Sequence, residues 1–167
     1  MKNPMPDLIT EVDKYKKGWT GGLPETPCGF GSRIEQTKIQ REWIPQMVAK
    51  YQLRTVADIG AGDLNWISRV QWPHQVDYTP YDLVPRASGV KALDIIHEQP
   101  SPADLGLCLW VLNHLPEDHA LAAVNNLLES CQWLMYTWEP RQWDCTDIGY
   151  VERTTIRKRG DERGNVE

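Results

Sequence analysis

Asp58, Gly60, Gly62, Asp82 and Asp94 are the residues of this chain whose types and spacing suit the seating of a nucleoside. Asp58 lies at the end of the apolar run Val56-Ala57-Asp58-Ile59, and a Gly60-Ala61-Gly62 turn follows directly. A turn that approaches a flat ligand has to leave out side chains, which is the reason for glycine. Asp82 stands 24 positions beyond Asp58, about the spacing at which a carboxylate accepts both hydroxyls of a ribose. Asp94 ends a third short apolar stretch, where a carboxylate and neighbouring backbone amides can address a purine edge. Trp110 ends a fourth, where an aromatic group can lie beside a base or a reacting carbon. Asn65 occupies the place of the third glycine in Gly-x-Gly-x-x-Gly, which argues against a pyrophosphate resting on a helix N-terminus. A nucleoside without phosphates fits better. Each residue also has a plainer reading: Asp58 as a strand-end residue, Asp82 as a turn former before Pro85, Asp94 as a helix cap, Trp110 as core. Their order and spacing as a set favour the ligand.

Alternating strands and helices must position these groups. Residues 1–31 read as an irregular segment punctuated by Gly21-Gly22, Pro24, Pro27, Gly29 and Gly31, a candidate lid, with a single domain over 32–167. Ser32-Arg33-Ile34-Glu35 has the form of a capping box opening a helix to about Tyr51, with Ile34, Ile39, Trp43, Met47 and Val48 as its apolar stripe. Pro45 predicts a kink or a break in it. Strands are expected at 55–59, 76–81, 90–93, 105–110 and 133–137, with one more around 150–156. A helix over 64–70 should follow the glycine turn. Another should run from Pro116-Glu117-Asp118 to about Leu128, with Leu121, Val124, Leu127 and Leu128 buried. Residues 83–89 are too few for a full crossover helix. The pattern implies an α/β fold, doubly wound and Rossmann-like, with a mostly parallel sheet, helices on both faces and C-terminal strands open to truncation. In such a sheet, ligands bind beyond the carboxyl ends of the strands, at the switch in strand order.

Composition narrows the function classes. A chain of 167 residues with net charge −5 lacks the basic balance of a nucleic-acid binder, and the Arg-rich end from Glu152 to Glu167 is nearly offset by its own acids. Cys28, Cys108, Cys131 and Cys145 have neither metal-pair spacing nor the pattern of a disulfide framework, so no metal is expected. Cys108 and Cys131 sit in apolar runs and read as small core residues. No apolar run approaches the roughly 20 residues of a membrane span, and the polar, Pro-broken start does not resemble a signal peptide. The expectation is a cytoplasmic protein without a membrane partner. Of eight tryptophans, most read as core, while Trp138 and Trp143 past the fifth strand are placed to line a pocket.

Taken together, this constellation resembles the class I S-adenosylmethionine-dependent methyltransferases over roughly residues 28–143. Within that superfamily it is similar to a group of small bacterial and phage enzymes. The matching elements are Gly29-Phe30-Gly31-Ser32 with Gln36-Thr37, the turn Ala61-Gly62-Asp63-Leu64-Asn65-Trp66, the stretch Leu112-Asn113-His114-Leu115, and Thr137. The resemblance implies S-adenosyl-L-methionine as cofactor. Gly60 and Gly62 would approach its methionine part and ribose, Asp82 would hold the ribose hydroxyls, and Asp94 would sit at the adenine. Asp63 and Ser32 would serve its amino and carboxylate ends. Where the group has a polar Arg-Asp pair, this chain has Leu109-Trp110, and the chain ends early for the closing antiparallel hairpin. A truncated sheet would leave an edge for a second subunit, hence an expected homo-oligomer.

Methyl transfer needs a base only for a protonated acceptor. His114 is the candidate, since its pKa lies nearest working pH, against a plainer role as a helix-start residue; Glu139 and Asp144 come second. No Asp/Asn-Pro-Pro-Tyr follows the fourth strand, and Pro27-Cys28 lies before the glycine turn, unlike the nucleophile of cytosine C5 methyltransferases. The expected acceptor is therefore a small molecule, nucleotide or sugar, with nucleic acid disfavoured. Two other functions compete: a non-catalytic S-adenosylmethionine-binding protein or partner subunit, and a dinucleotide-dependent oxidoreductase. Gly60→Val is expected to block binding while leaving the fold intact.

Overall fold

The structure is a computed structural model that describes residues 24–137 and 154–159. Five strands, β1 (Thr55–Ile59), β2 (Asp77–Asp82), β3 (Lys91–Ala92), β4 (Ala103–Cys108) and β5 (Cys131–Thr137), run parallel to their neighbours. A sixth, β6 (Thr154–Lys158), pairs antiparallel with β5, Met135 standing opposite Ile156. The sheet order is β3-β2-β1-β4-β5-β6. The chain thus steps outward from β1 to β3, returns to β4 on the other side of β1, and steps outward again. That reversal falls at β1 and β4, beyond whose carboxyl ends sheets of this kind bind their ligands. The doubly wound, mostly parallel α/β fold is as read from the sequence.

Each face of the sheet has its own core because side chains alternate along a strand. Val56, Leu105, Leu107, Trp133 and Met135 face α1 (Lys38–Tyr51), whose Ile44, Met47 and Val48 are buried against them. Ala57, Ile59, Cys108, Leu134 and Tyr136 face α2 (Glu117–Ser130), through Ala120, Ala123, Val124 and Leu127. Cys108 and Cys131 are buried free thiols in this core, as expected. At the end of α1, Gln52 takes the left-handed conformation (φ 54°) and its N–H reaches the carbonyls of Val48 and Ala49, closing the helix in the way glycine more often does.

Several elements differ from the sequence reading. The capping box does not form: Ser32 lies in a 3-10 turn (Phe30–Ser32), and α1 starts at Lys38. The Ile34 N–H is met instead by Glu25 Oε1 at 2.7 Å, a partner nine residues upstream. Pro45 lies inside a continuous helix. Ile39 and Trp43 point outward, 55% and 47% exposed, because the buried row is Gln40, Ile44, Met47 and Val48. Leu121 is likewise 49% exposed, about 100° around the helix from the Ala120–Val124 stripe. The helix expected over 64–70 is reduced to one 3-10 turn, Ile67–Arg69. Its start is blocked by Leu64 at φ 62°, a left-handed conformation from which a right-handed helix cannot begin. No helix forms between β2 and β3, as the short connection required.

Candidate functional site

The glycine turn is built by β1 and fastened to β2. Gly60 (φ 76°) and Gly62 (φ 58°) both adopt backbone conformations that favour glycine. The amides of Gly60 and Ala61 donate to the Tyr81 carbonyl at 2.9 and 3.0 Å, and the Gly62 amide donates to Asp82 Oδ2 at 2.9 Å. Asp82 Oδ1 accepts from Val84 N at 2.9 Å. All three turn amides are therefore engaged within the fold, and no helix of useful length follows. The turn lacks both features by which a dinucleotide-binding loop holds pyrophosphate: free N–H groups and a helix dipole. Asp82 keeps acceptor capacity, since a carboxylate offers about four lone-pair sites and two are used. Burial raises its pKa, opposed by the Val84 and Gly62 amides and by the charge of Arg86.

A strap of residues 25–32 lies over this turn. Thr26 Oγ1 donates to Asp63 Oδ2 at 2.8 Å and accepts from Cys28 N at 3.0 Å. The Asn65 side-chain amide donates to Glu25 Oε1 at 3.0 Å and to the Ser32 carbonyl at 2.9 Å. Asn65 thus does what the fingerprint glycine could not: it ties the strap to the turn. A Cβ at Gly62 would stand 2.8 Å from Cys28 Sγ, and one at Gly60 would stand 2.1 Å from Val111 Cγ2, just past β4. A Cβ at Gly31 would collide with the Trp110 ring at 2.4 Å. The Cys28 thiol is pushed up to about 11, first by burial and then by the Asp63 charge, so it is no ready nucleophile.

Asp58 is buried on the α1 face and accepts from Tyr78 Oη at 2.6 Å. Burial pushes its pKa up to about 7; the Tyr78 hydrogen bond opposes this and the Asp82 charge adds to it. Trp110 sits past β4 at φ 61°, and its amide donates to Thr137 Oγ1 at 2.6 Å. Leu64 and Trp110, two bulky residues in left-handed backbone, flank the turn, a conformation that costs about 1–3 kcal/mol each and concentrates at functional sites.

Of the residues expected from the sequence, the fold gathers Asp58, Gly60, Gly62, Asp63, Asp82 and Trp110 around the carboxyl ends of β1, β2 and β4, with Ser32 brought over them by the strap. Asp63 is engaged by Thr26 and by the Asn65 amide. Asp94 lies just past β3 and caps the following turn, accepting from Ile96 N at 3.1 Å, with His97 Nδ1 at 3.5 Å. His114 lies in the 3-10 turn Leu112–His114 after β4. Trp138, Glu139, Trp143, Asp144 and Cys145 lie outside the described residues. Glu25, Thr26, Tyr78 and Val111 were not singled out from the sequence, and Cys28 was set aside. Thr26 meets Asp63 across 37 positions and Glu25 meets Asn65 across 40, distances over which no local pattern carries a signal.

These residues fit a nucleoside cofactor without phosphates: a half-buried carboxylate with lone pairs to spare at the end of β2, beside a glycine turn. The space directly over the turn is shared by Cys28 and Val111. No group of three metal-ligating side chains occurs among the described residues, and no helix among them is long and apolar enough to cross a membrane.

No family model and no curated protein sequence matches the chain. Solved structures do. The N-methyltransferase NodS from Bradyrhizobium japonicum WM9, in complex with S-adenosyl-L-homocysteine, matches at 16% identity over 75% of this chain and 71% of that one, with a TM-score of 0.55. An O-methyltransferase family protein from Burkholderia thailandensis matches at 14% identity, over 70% of this chain and 42% of that one, with a TM-score of 0.52. Magnesium protoporphyrin IX methyltransferase (ChlM) from Synechocystis PCC 6803, with bound S-adenosylhomocysteine, matches at 16% identity over 80% and 69%, with a TM-score of 0.50. The likeness is one of fold: the chain has the Rossmann-like architecture of class I methyltransferases.

Proposed function

We propose that the protein is an S-adenosyl-L-methionine-dependent methyltransferase of the small bacterial and phage type that its 61–66 turn resembles. The observation that carries this reading is the engagement of all three turn amides by β2, with no helix behind them. A site so built accepts a nucleoside and gives a pyrophosphate nothing to rest on. The fold shared with methyltransferases solved with S-adenosylhomocysteine agrees.

In this reading Asp82 accepts the ribose hydroxyls, and Gly60 and Gly62 let the nucleoside approach the backbone. Asp94, beyond β3, is assigned to the adenine end, and Asp63 and Ser32 to the amino-acid end. Asp58 holds the end of β1 in place through Tyr78. The bound cofactor supplies a methyl group activated on a sulfonium. The protein's task is to align an acceptor in line with that carbon and to keep water out. Trp110 and the strap provide apolar cover. His114 is the candidate base for an acceptor that carries a proton. The acceptor class is the one drawn from charge and motif: a small molecule, nucleotide or sugar.

Calorimetric titration of the protein with S-adenosylmethionine, S-adenosylhomocysteine and NAD tests the proposal. Saturable binding of the two sulfur ligands, tighter than any binding of NAD, is expected; no binding of either sulfur ligand would overturn it. A second reading, a binding subunit without transferase activity, is favoured by the apolar Leu109-Trp110 where the group it resembles carries a polar Arg-Asp pair. Conversion of S-adenosylmethionine to S-adenosylhomocysteine in the presence of cell extract separates the two.

A further inference from the structure

A cleft of about 450 Å³ opens beside the first half of α1, lined by Lys38, Arg41, Glu42 and Pro45 of the helix and by Arg69 and Gln71 of the β1–β2 crossover. It exists because the crossover carries a single 3-10 turn, which leaves that flank of α1 uncovered. The four helix residues recur at i, i+3, i+4 and i+7 and so form one face. Three cations and one carboxylate line the cleft, in a chain whose net charge is −5. Among the described residues neither Lys38 nor Arg69 is in an ion pair, and Glu42 is in an ion pair with neither Lys38 nor Arg41. Arg41 is held in place by its Nη2, which donates to the Ile34 carbonyl at 2.7 Å. Its Nε is buried with no acceptor among the described residues.

We propose that this cleft is a binding site for a phosphate-class anion. Donors arriving from two elements suit a tetrahedral, doubly charged group with three or more oxygens better than a two-oxygen carboxylate. The volume leaves room for the remainder of a phosphate ester or a second phosphate. The site is independent of the methyltransferase reading, although Arg41 links it to the strap: the Ile34 carbonyl takes Arg41, and the Ile34 amide rests on Glu25, which also holds Asn65.

The test is calorimetric titration of the full chain with pyrophosphate and with adenosine monophosphate at matched ionic strength, so that general screening is held constant. S-adenosylhomocysteine is first added to saturation, so that the glycine turn is occupied. Both probes should bind saturably. Arg69→Ala and Lys38→Ala alter exposed side chains, and each should weaken binding about tenfold or more while circular dichroism stays unchanged. Tighter binding of the nucleotide assigns the anion to a phosphate ester; equal or tighter binding of pyrophosphate assigns it to a free polyphosphate. Absence of saturable binding of both probes to the wild type, or unchanged affinity in both variants, overturns the proposal. That first titration of S-adenosylhomocysteine into the same samples reads the glycine turn separately, so failure of one site is not mistaken for failure of the other.

Discussion

Replacing Asp58 with asparagine asks whether a carboxyl buried at the end of β1 limits the stability of the sheet as pH rises. In the folded protein its pKa is pushed up to about 7, chiefly by burial, against an ordinary value of 3.8. Below about pH 4 folded and unfolded chains both hold the proton, and the group costs nothing. Between the two values the unfolded chain releases its proton first, so stability falls as pH rises, and above about 7 the loss levels off. Integrated from pH 5 to pH 8, these values give a loss of about 2–3 kcal/mol from this one group. An asparagine side chain cannot ionise, and it still offers a carbonyl oxygen to Tyr78, whose hydroxyl donates to Asp58 at 2.6 Å in the native protein. Urea unfolding of both proteins at several pH values measures the effect. Titrating groups that do not interact with Asp58 cancel in the difference, and any fixed cost of the new amide donor shifts the gap without giving it a slope. The expected result is a gap that moves by about 2–3 kcal/mol in favour of Asp58→Asn between pH 5 and pH 8. A gap independent of pH would refute the reasoning, since it would mean that Asp58 ionises in the fold as readily as in water.

The remaining predictions concern the turn and its strap. Asp82→Ala should weaken S-adenosylhomocysteine binding by about 1.5–3 kcal/mol in calorimetry, with Asp82→Asn as the variant of conserved shape; unchanged affinity in both removes the ribose assignment. Gly60→Ala should destabilise the fold, because the left-handed backbone costs about 1–2 kcal/mol and the new Cβ meets Val111 Cγ2 at 2.1 Å. This replaces the expectation that Gly60→Val would spare the fold. Adding Val111→Ala should recover part of the loss in thermal unfolding, and no recovery would show that the contact does not matter. Thr26→Val removes the hydroxyl that joins Asp63 to Cys28, worth about 1 kcal/mol, and should speed amide exchange at Cys28 about fivefold. Exchange as slow as in the wild type would mean that the strap is fastened elsewhere.

What is local in this protein was legible in the order of its residues. Apolar runs bounded by turn residues placed β1, β4 and β5 to within two residues at each end, and the Pro-Glu-Asp start placed α2. Alternation of strands with helices implied the parallel, doubly wound sheet, because strands buried on both faces need crossovers. The glycine turn and the acid 24 positions on were legible for the same reason: a turn free of side chains and a strand-end carboxylate are short-range features. Which periodic residues face inward was settled only by packing. Ile39 and Trp43 belong to the helical repeat as plausibly as Ile44 does, and docking on the sheet chose between them. Packing also settled that no helix follows the turn, since Leu64 is held at φ 62°. It closed a strap over the turn as well: the hydrogen bonds of Thr26 to Asp63 and of Glu25 to Asn65 join residues 37 and 40 positions apart. A contact across that distance depends on where the whole sheet puts its strand ends, which no window of sequence contains.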